Sequence, residues 1–245
     1  MSENTTLDAL PTNLLLANLP SAEYQRLLPK LEQFTLNYGE TIYNQGEIIE
    51  YVYFPTSGII SLLVAVEANS TLEVGIVGKE GIIGLSLFLG KMTSNNLAIV
   101  QGVGSALRMK AADFITECDI NRVFSQQLKQ FTHSLLIQVS QSAACYRFHP
   151  VEARLARWLL MTSDRMETNN FQITQEFLSK MLGVRREAVN KSATILQEQN
   201  LISYSRGNIL IINRAGLEAE SCQCYEIIRT EEKSFPNGTP TAHLK

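Results

Sequence analysis

Four side chains within one short stretch carry the types that bond to base edges: Arg186, Glu187, Asn190 and Lys191. At positions i, i+1, i+4 and i+5 they share one face of a helix. Arginine suits the guanine edge, glutamate accepts from the cytosine amino group, asparagine pairs with adenine, and lysine meets guanine or phosphate. The chemistry predicted from these types at this spacing is direct reading of a DNA groove.

That helix needs a platform, and residues 173–202 (ITQEFLSKMLGVRREAVNKSATILQEQNLI) supply one. They are expected to form a helix, a tight turn and a second helix opening at Arg185. Small Ser179 lets the two helices approach, Gly183 accepts the backbone angles of the turn, and Val189 anchors the second helix in a core. Downstream, 201–204 and 209–212 read as strands around Ser205-Arg206-Gly207-Asn208, a glycine-centred hairpin with Arg206 at its tip. Upstream, 151–163 reads as a helix burying Leu155, Trp158, Leu159 and Met161, followed by a polar loop over 164–170. Asn213 is placed to cap a last helix reaching about residue 229. Helix, helix-turn-helix and hairpin make a winged helix.

The first half of the chain has a different rhythm. Residues 7–34 show helical periodicity broken at Pro20-Ser21. From Phe34 to Met109, β-branched and aromatic runs (YVYF, GIISLLVAV, TLEVGIV, NLAIVQ) alternate with glycine-bearing turns, which argues for an antiparallel barrel or jelly roll. Residues 122–147 return to a helix, with Phe124, Leu128, Phe131, Leu135, Gln138, Ser142 and Cys145 at alternating spacings of four and three. This stripe is assigned to a dimer seam, the alternative being a long amphipathic helix packed on its own barrel. His149-Pro150 ends the helix, because the residue before proline is pushed out of helical geometry. The fold class expected is α+β: an antiparallel β-roll with N-terminal helices (1–120), a long dimerisation helix (121–148), a winged helix-turn-helix (149–232) and a disordered tail (233–245).

Charge is distributed to match. The chain carries −3 overall, but residues 147–214 hold ten basic and six acidic side chains, so the segment with the helix-turn-helix is net +4. A local basic surface is enough to attract phosphates. No signal-peptide pattern and no apolar run of membrane-spanning length occurs, so a cytoplasmic, non-membrane protein is expected. The four cysteines (Cys118, Cys145, Cys222, Cys224) show no disulfide-framework spacing, and Cys222-Gln223-Cys224 has neither histidine nor further cysteine near it in sequence. They read as structural thiols, with a thiol sensor as the alternative, and no metal site is assigned. The β-roll segment contains no histidine, so a metal-dependent cupin enzyme lacks its ligands. No catalytic residue and no cofactor are assigned.

Over residues 14–230 the layout of β-roll, long helix and winged helix resembles the Crp/Fnr family of bacterial transcription regulators. The resemblance rests on Ala153-Arg154-Leu155-Ala156-Arg157-Trp158-Leu159-Leu160, on Gly183-Val184-Arg185-Arg186-Glu187-Ala188-Val189, and on Gln199-Asn200-Leu201-Ile202. It implies a homodimer on a pseudo-palindromic operator in double-stranded DNA. Arg186 and Glu187 carry over as base readers, while Thr174 and Gln175 match positions that hold the DNA backbone. Lys191 stands where the family has arginine, which loosens preference there, and Arg185 replaces a small capping residue while adding a cation beside the phosphates. The 164–170 loop matches a surface through which family activators can touch RNA polymerase.

The resemblance also locates an effector pocket, at Gly81, Ile83, Gly84, Leu85, Asn96 and Leu97. Here the chain departs from the cyclic AMP pattern. Ile83-Gly84-Leu85 supplies no glutamate for a ribose, and Asn96-Leu97 stands where an Arg-Ser pair would hold the cyclic phosphate. The apolar cassette is read as the site of a different small molecule, of unknown identity, or of no ligand at all. The alternative is a ligand- or partner-binding module in which the helix-turn-helix serves only as packing.

Overall fold

The computed structural model describes residues 12–67 and 70–233. The chain opens with two short helices, α1 (Leu14–Ala17) and α2 (Ser21–Leu27). Asn13 explains why α1 starts where it does. Its Oδ1 accepts from Leu16 N, and its Nδ2 donates to the carbonyls of Pro55 and Gly81, each at 2.9 Å. One buried amide therefore caps the helix and pins it to the sheet behind. Leu7 and Leu10, read as part of this helical region, lie outside the described residues, as does the tail beyond Lys233.

Seven strands follow: β1 (Glu32–Leu36), β2 (Thr41–Tyr43), β3 (Tyr51–Pro55), β4 (Ile59–Glu67), β5 (Ser70–Val77), β6 (Leu97–Gly102) and β7 (Gly104–Lys110). They form two antiparallel sheets, ordered β1-β7-β3 and β2-β6-β4-β5. Apolar side chains from both sheets, among them Leu36, Phe54, Ile60, Val77, Val100 and Met109, fill the space between them. The strand runs read from the sequence form β3, β4, β5 and β6.

Helix α3 (Ala111–Ile120) leads into α4 (Arg122–Phe148). Asn121 caps α4 by accepting from Phe124 N at 3.0 Å. At 27 residues this helix is about 40 Å long. Its apolar stripe departs from the sequence expectation. Phe124, Leu128 and Phe131 are buried in the core of the roll of their own chain, Leu135 packs against that core, and Ser142 is buried as well. The heptad-like spacing is thus satisfied within one protomer. The face left outward carries Gln126, Lys129, His133, Leu136, Ser140 and Ala143, again at spacings of three and four.

The α4 helix stops at His149, whose backbone is extended (φ −110°, ψ 144°) ahead of Pro150. Beyond it lie α5 (Val151–Met166), β8 (Asn170–Gln172), α6 (Gln175–Leu182), α7 (Arg186–Glu198), β9 (Ile202–Ser205), β10 (Asn208–Ile211), α8 (Arg214–Glu220) and α9 (Cys224–Lys233). Three details differ from the sequence reading. Helix α5 continues through Met166 rather than ending at Ser163, since Asp164 is held by Arg214 and Tyr225 and Arg165 turns inward. Asn170 begins a third wing strand in the order β8-β10-β9 rather than closing a loop. The last helix is two, because the chain leaves helical geometry at Ser221 (ψ 155°) after Asn213 has capped α8.

Strand β4 explains how the halves adhere. Ile60 points into the roll, whereas Ile59 and Leu63 point out of it and join a second core with Leu155, Trp158, Leu159, Val189 and Leu196. Each large side chain fully buried in this way contributes about 1.5–3 kcal/mol. Among the described residues, no helix is long and apolar enough to cross a membrane.

Candidate nucleic-acid interface

Thr174 caps α6: its Oγ1 accepts from Phe177 N at 3.1 Å. Gly183 ends the helix in the left-handed region (φ 60°, ψ 40°), where a side chain would be strained, and a Cβ there would also meet Leu72 of β5. The next helix starts at Arg186. Arg185 sits at the N-cap and makes no side-chain capping bond. Val189, Ser192, Ala193 and Leu196 are the buried side of α7 at helical spacing, which turns Arg186, Glu187, Asn190 and Lys191 to solvent.

The wing closes the other side. Ser205 pairs with Asn208 across a two-residue turn in which Arg206 (φ 50°) and Gly207 (φ 78°) are both left-handed. That is the backbone of a hairpin turn whose twist matches the strands, and glycine accommodates one of its two positive angles without cost. Arg206 is exposed at the tip. The Tyr204 hydroxyl donates to Ile173 O at 2.8 Å, and Gln197 Oε1 accepts from Tyr204 N at 2.7 Å, tying the wing to both helices. Burial beside Tyr38 pushes the Tyr204 hydroxyl up to about 12, although Arg186 opposes the shift.

The fold thus brings Thr174, Gln175, Arg186, Asn190 and Arg206 around a single groove between α7 and the wing. Gln175 Nε2 donates to Asn190 Oδ1 at 3.0 Å, so two polar groups assigned to phosphate and adenine engage each other in the free protein. Among the described residues, Arg185, Arg186, Lys191 and Arg206 take part in no ion pair. Their charge is available to phosphates.

The residues assigned to an effector do not assemble in the same way. Gly81 lies under the Phe131 ring of α4, with no room for a methyl group. Ile83 is buried in the first core, its N–H and C=O bonded to Tyr53 of β3. Gly84 (φ 101°) fits over Val52 and the Tyr43 hydroxyl, and Leu85 packs on the same core. Leu97 instead packs on the second core, and Asn96 bonds to Ser94 through its backbone.

Sequence reasoning missed the joint that holds the reading head against the roll. Glu73, in the middle of β5, is buried, and its Oε1 accepts from Trp158 Nε1 of α5 at 2.8 Å. Burial raises its carboxyl to about 7 against the help of Ser61, Trp158, Arg157 and Arg165. Arg165, also buried, bridges Glu80 of the roll (2.7 Å) and Glu232 of α9. Tyr38 of the roll stacks on Phe177 of α6 at 5.6 Å. A carboxylate inside the apolar run TLEVGIV was the one available sign of this joint.

A β-roll joined by a long helix to a winged helix with a cationic groove defines a two-module, DNA-binding regulator. Comparison with known families agrees in both halves. Residues 33–121 match the cyclic nucleotide-binding domain, and residues 153–220 match the Crp-like helix-turn-helix domain. The chain belongs to the Crp/Fnr family of transcription regulators. Similar solved structures include a Crp/Fnr-family putative transcriptional regulator from Eubacterium rectale (16% identity over 85% of this chain and 98% of that one, TM-score 0.68). FixK2 from Bradyrhizobium japonicum is another (17% identity, 78% and 98% covered, TM-score 0.68). A third is CLP from Xanthomonas campestris, described as a c-di-GMP responsive global regulator (15% identity, 78% and 99% covered, TM-score 0.66). No curated protein sequence matches the chain.

Proposed function

We propose that this chain is a cytoplasmic, homodimeric regulator that reads a pseudo-palindromic operator in double-stranded DNA. The observation that carries the reading is the solvent-facing set Arg186, Glu187, Asn190 and Lys191 on α7, flanked by Thr174, Gln175 and the wing-tip Arg206. Arg186 and Glu187 read base edges. Asn190 joins them once Gln175 releases it to a phosphate. Lys191, Arg185 and Arg206 bind mainly through charge. The two protomers meet along the outward face of α4, through Leu136, Ser140 and Ala143. Half-sites then lie about one helical turn of DNA apart, roughly 34–36 Å.

The β-roll senses a small molecule other than cyclic AMP. Support comes from Asn96-Leu97, which offers no cation to a cyclic phosphate, and from Leu97, which faces the second core. The 164–170 segment is the surface proposed for RNA polymerase, through its exposed Glu167 and Asn169.

The test is competition binding of the full chain to genomic fragments at moderate salt, with Arg186→Ala and Glu187→Ala alongside. Each loss should cost about 1–3 kcal/mol of discrimination at one base position with an unchanged circular-dichroism spectrum. If both variants select the same fragments with the same affinity as the parent chain, α7 does not read DNA. The helix-turn-helix would then serve as packing.

A further inference from the structure

Three cysteines and a histidine that look unrelated in the sequence meet at one place. Cys145 lies in the last turn of α4 and His149 ends that helix, while Cys222 and Cys224 flank the start of α9. The potential ligand atoms of all four lie within 4.8 Å of one another. Cys145 Sγ is 3.4 Å from Cys222 Sγ, and Cys224 Sγ is 3.6 Å from His149 Nδ1. A tetrahedral ion with bonds of about 2.3 Å to sulfur and 2.0–2.1 Å to nitrogen sets such atoms roughly 3.5–3.8 Å apart. We propose that Cys145, His149, Cys222 and Cys224 form a closed, four-coordinate site for zinc(II) at the joint between the long helix and the DNA-binding domain.

The surroundings favour a centre that carries negative charge. Arg157 of α5 is 2% exposed and lies close enough to Cys145 and Cys222 to interact with them electrostatically. Its Nη1 donates to Ser142 Oγ at 3.4 Å, yet its Nε has no hydrogen-bond partner. Among the described residues Arg157 forms no ion pair, and Glu73 ranks behind Cys145 and Cys222 among its electrostatic partners. A buried cation without a counter-charge is costly. Three thiolates around one divalent ion give a net charge of −1, which the guanidinium balances.

Chemically, binding exchanges three S–H protons, released to solvent, for three metal–sulfur bonds, with neutral His149 as the fourth ligand. Three sulfurs with one imidazole in tetrahedral array select zinc over magnesium or calcium. The sequence separation explains why spacing alone assigned no metal here. Cys145 and His149 are one helical turn apart, but Cys222 is 77 residues from Cys145 and arrives only because α9 packs back along α4. An ion at this point would tie the α4–α5 corner to the corner between α8 and α9.

The test uses the full-length protein, reduced and stripped of metal by a chelator without oxygen, then titrated with cobalt(II). One ion per chain should bind, with the intense visible bands of tetrahedral thiolate coordination, and zinc(II) should displace it. Metal loading should also raise Tm. Replacing a ligand should weaken binding beyond the ~10–100-fold that outer-shell changes cost, in Cys222→Ser and in His149→Gln. Cys118→Ser, in α3 and packed on the first core, should leave it unchanged. If Cys222→Ser fails to fold, as judged by circular dichroism, Cys224→Ser and His149→Gln at the edge of the cluster carry the comparison. The proposal is overturned if the reduced chain shows no tetrahedral cobalt spectrum. It is equally overturned if the ligand variants bind cobalt as the parent does, or if the isolated protein holds a Cys145–Cys222 disulfide and takes up no metal after reduction.

Discussion

Glu73 makes the stability of this protein depend on pH in a direction opposite to that of most carboxylates. The carboxyl is buried between β5 and α5 and is raised from 4.5 to about 7, chiefly by desolvation. Its Oε1 accepts from Trp158, whereas its Oε2 has no partner. Because the folded state holds the proton more tightly than the unfolded chain, this group's contribution is fully present below pH 4.5. It is lost as pH rises through about 7. At 1.36 kcal/mol per pH unit the loss amounts to about 3 kcal/mol. Glu73→Gln keeps an oxygen acceptor for Trp158 and removes the titration. The amide nitrogen still replaces an unpartnered oxygen, so a constant offset is expected as well, and the informative quantity is the slope. Urea unfolding followed by fluorescence of Trp158, the only tryptophan in the chain, should be run at fixed protein concentration from pH 5 to 8. The variant should gain on the parent by about 2.5 kcal/mol across that window, the remainder of the loss falling below pH 5. Glu232, also raised to about 7 by burial, titrates with the same sign in both proteins and cancels in the difference. Parallel pH profiles for the two proteins would refute the assignment of a neutral, buried Glu73.

Two further substitutions probe α4 from its two sides. Gly81→Ala places a methyl group against the Phe131 ring and Val77, and should destabilise by about 1–3 kcal/mol in denaturant unfolding; a change under 0.5 kcal/mol would mean α4 is not seated there. Leu136→Lys, on a residue 62% exposed in the single chain, should raise the dimer dissociation constant. Two symmetry-related leucines at ~1.5–3 kcal/mol each correspond to roughly 10²–10⁴-fold, read by sedimentation. An unchanged constant would remove Leu136 from the dimer face.

Much of the reading head was legible because its determinants are local. Gly183 accepts a left-handed turn, Val189 begins the buried side of α7, and Arg206-Gly207 forms the wing tip. The same holds for the strand runs and for the end of α4 at His149-Pro150. Other features depended on contacts that spacing cannot express. The stripe of Phe124, Leu128 and Phe131 has the period of a dimer seam, yet a helix pattern states only that one side is apolar and not which surface covers it. Here the roll of the same chain does so. Strand β8 was hidden because three residues carry too little periodicity, and its partner β10 lies far along the chain.

What the sequence by itself determined was the succession of elements and the outward chemistry of α7, since backbone angles, caps and helical phase are set by residues within a few positions of one another. Only the tertiary structure decided which faces are buried and which distant groups meet. It put Glu73 against Trp158, Gln175 against Asn190, and Cys145 beside Cys222. Those encounters follow from how helices and sheets pack, where hydrophobic burial selects the arrangement and carries polar side chains together from separations the linear order does not record.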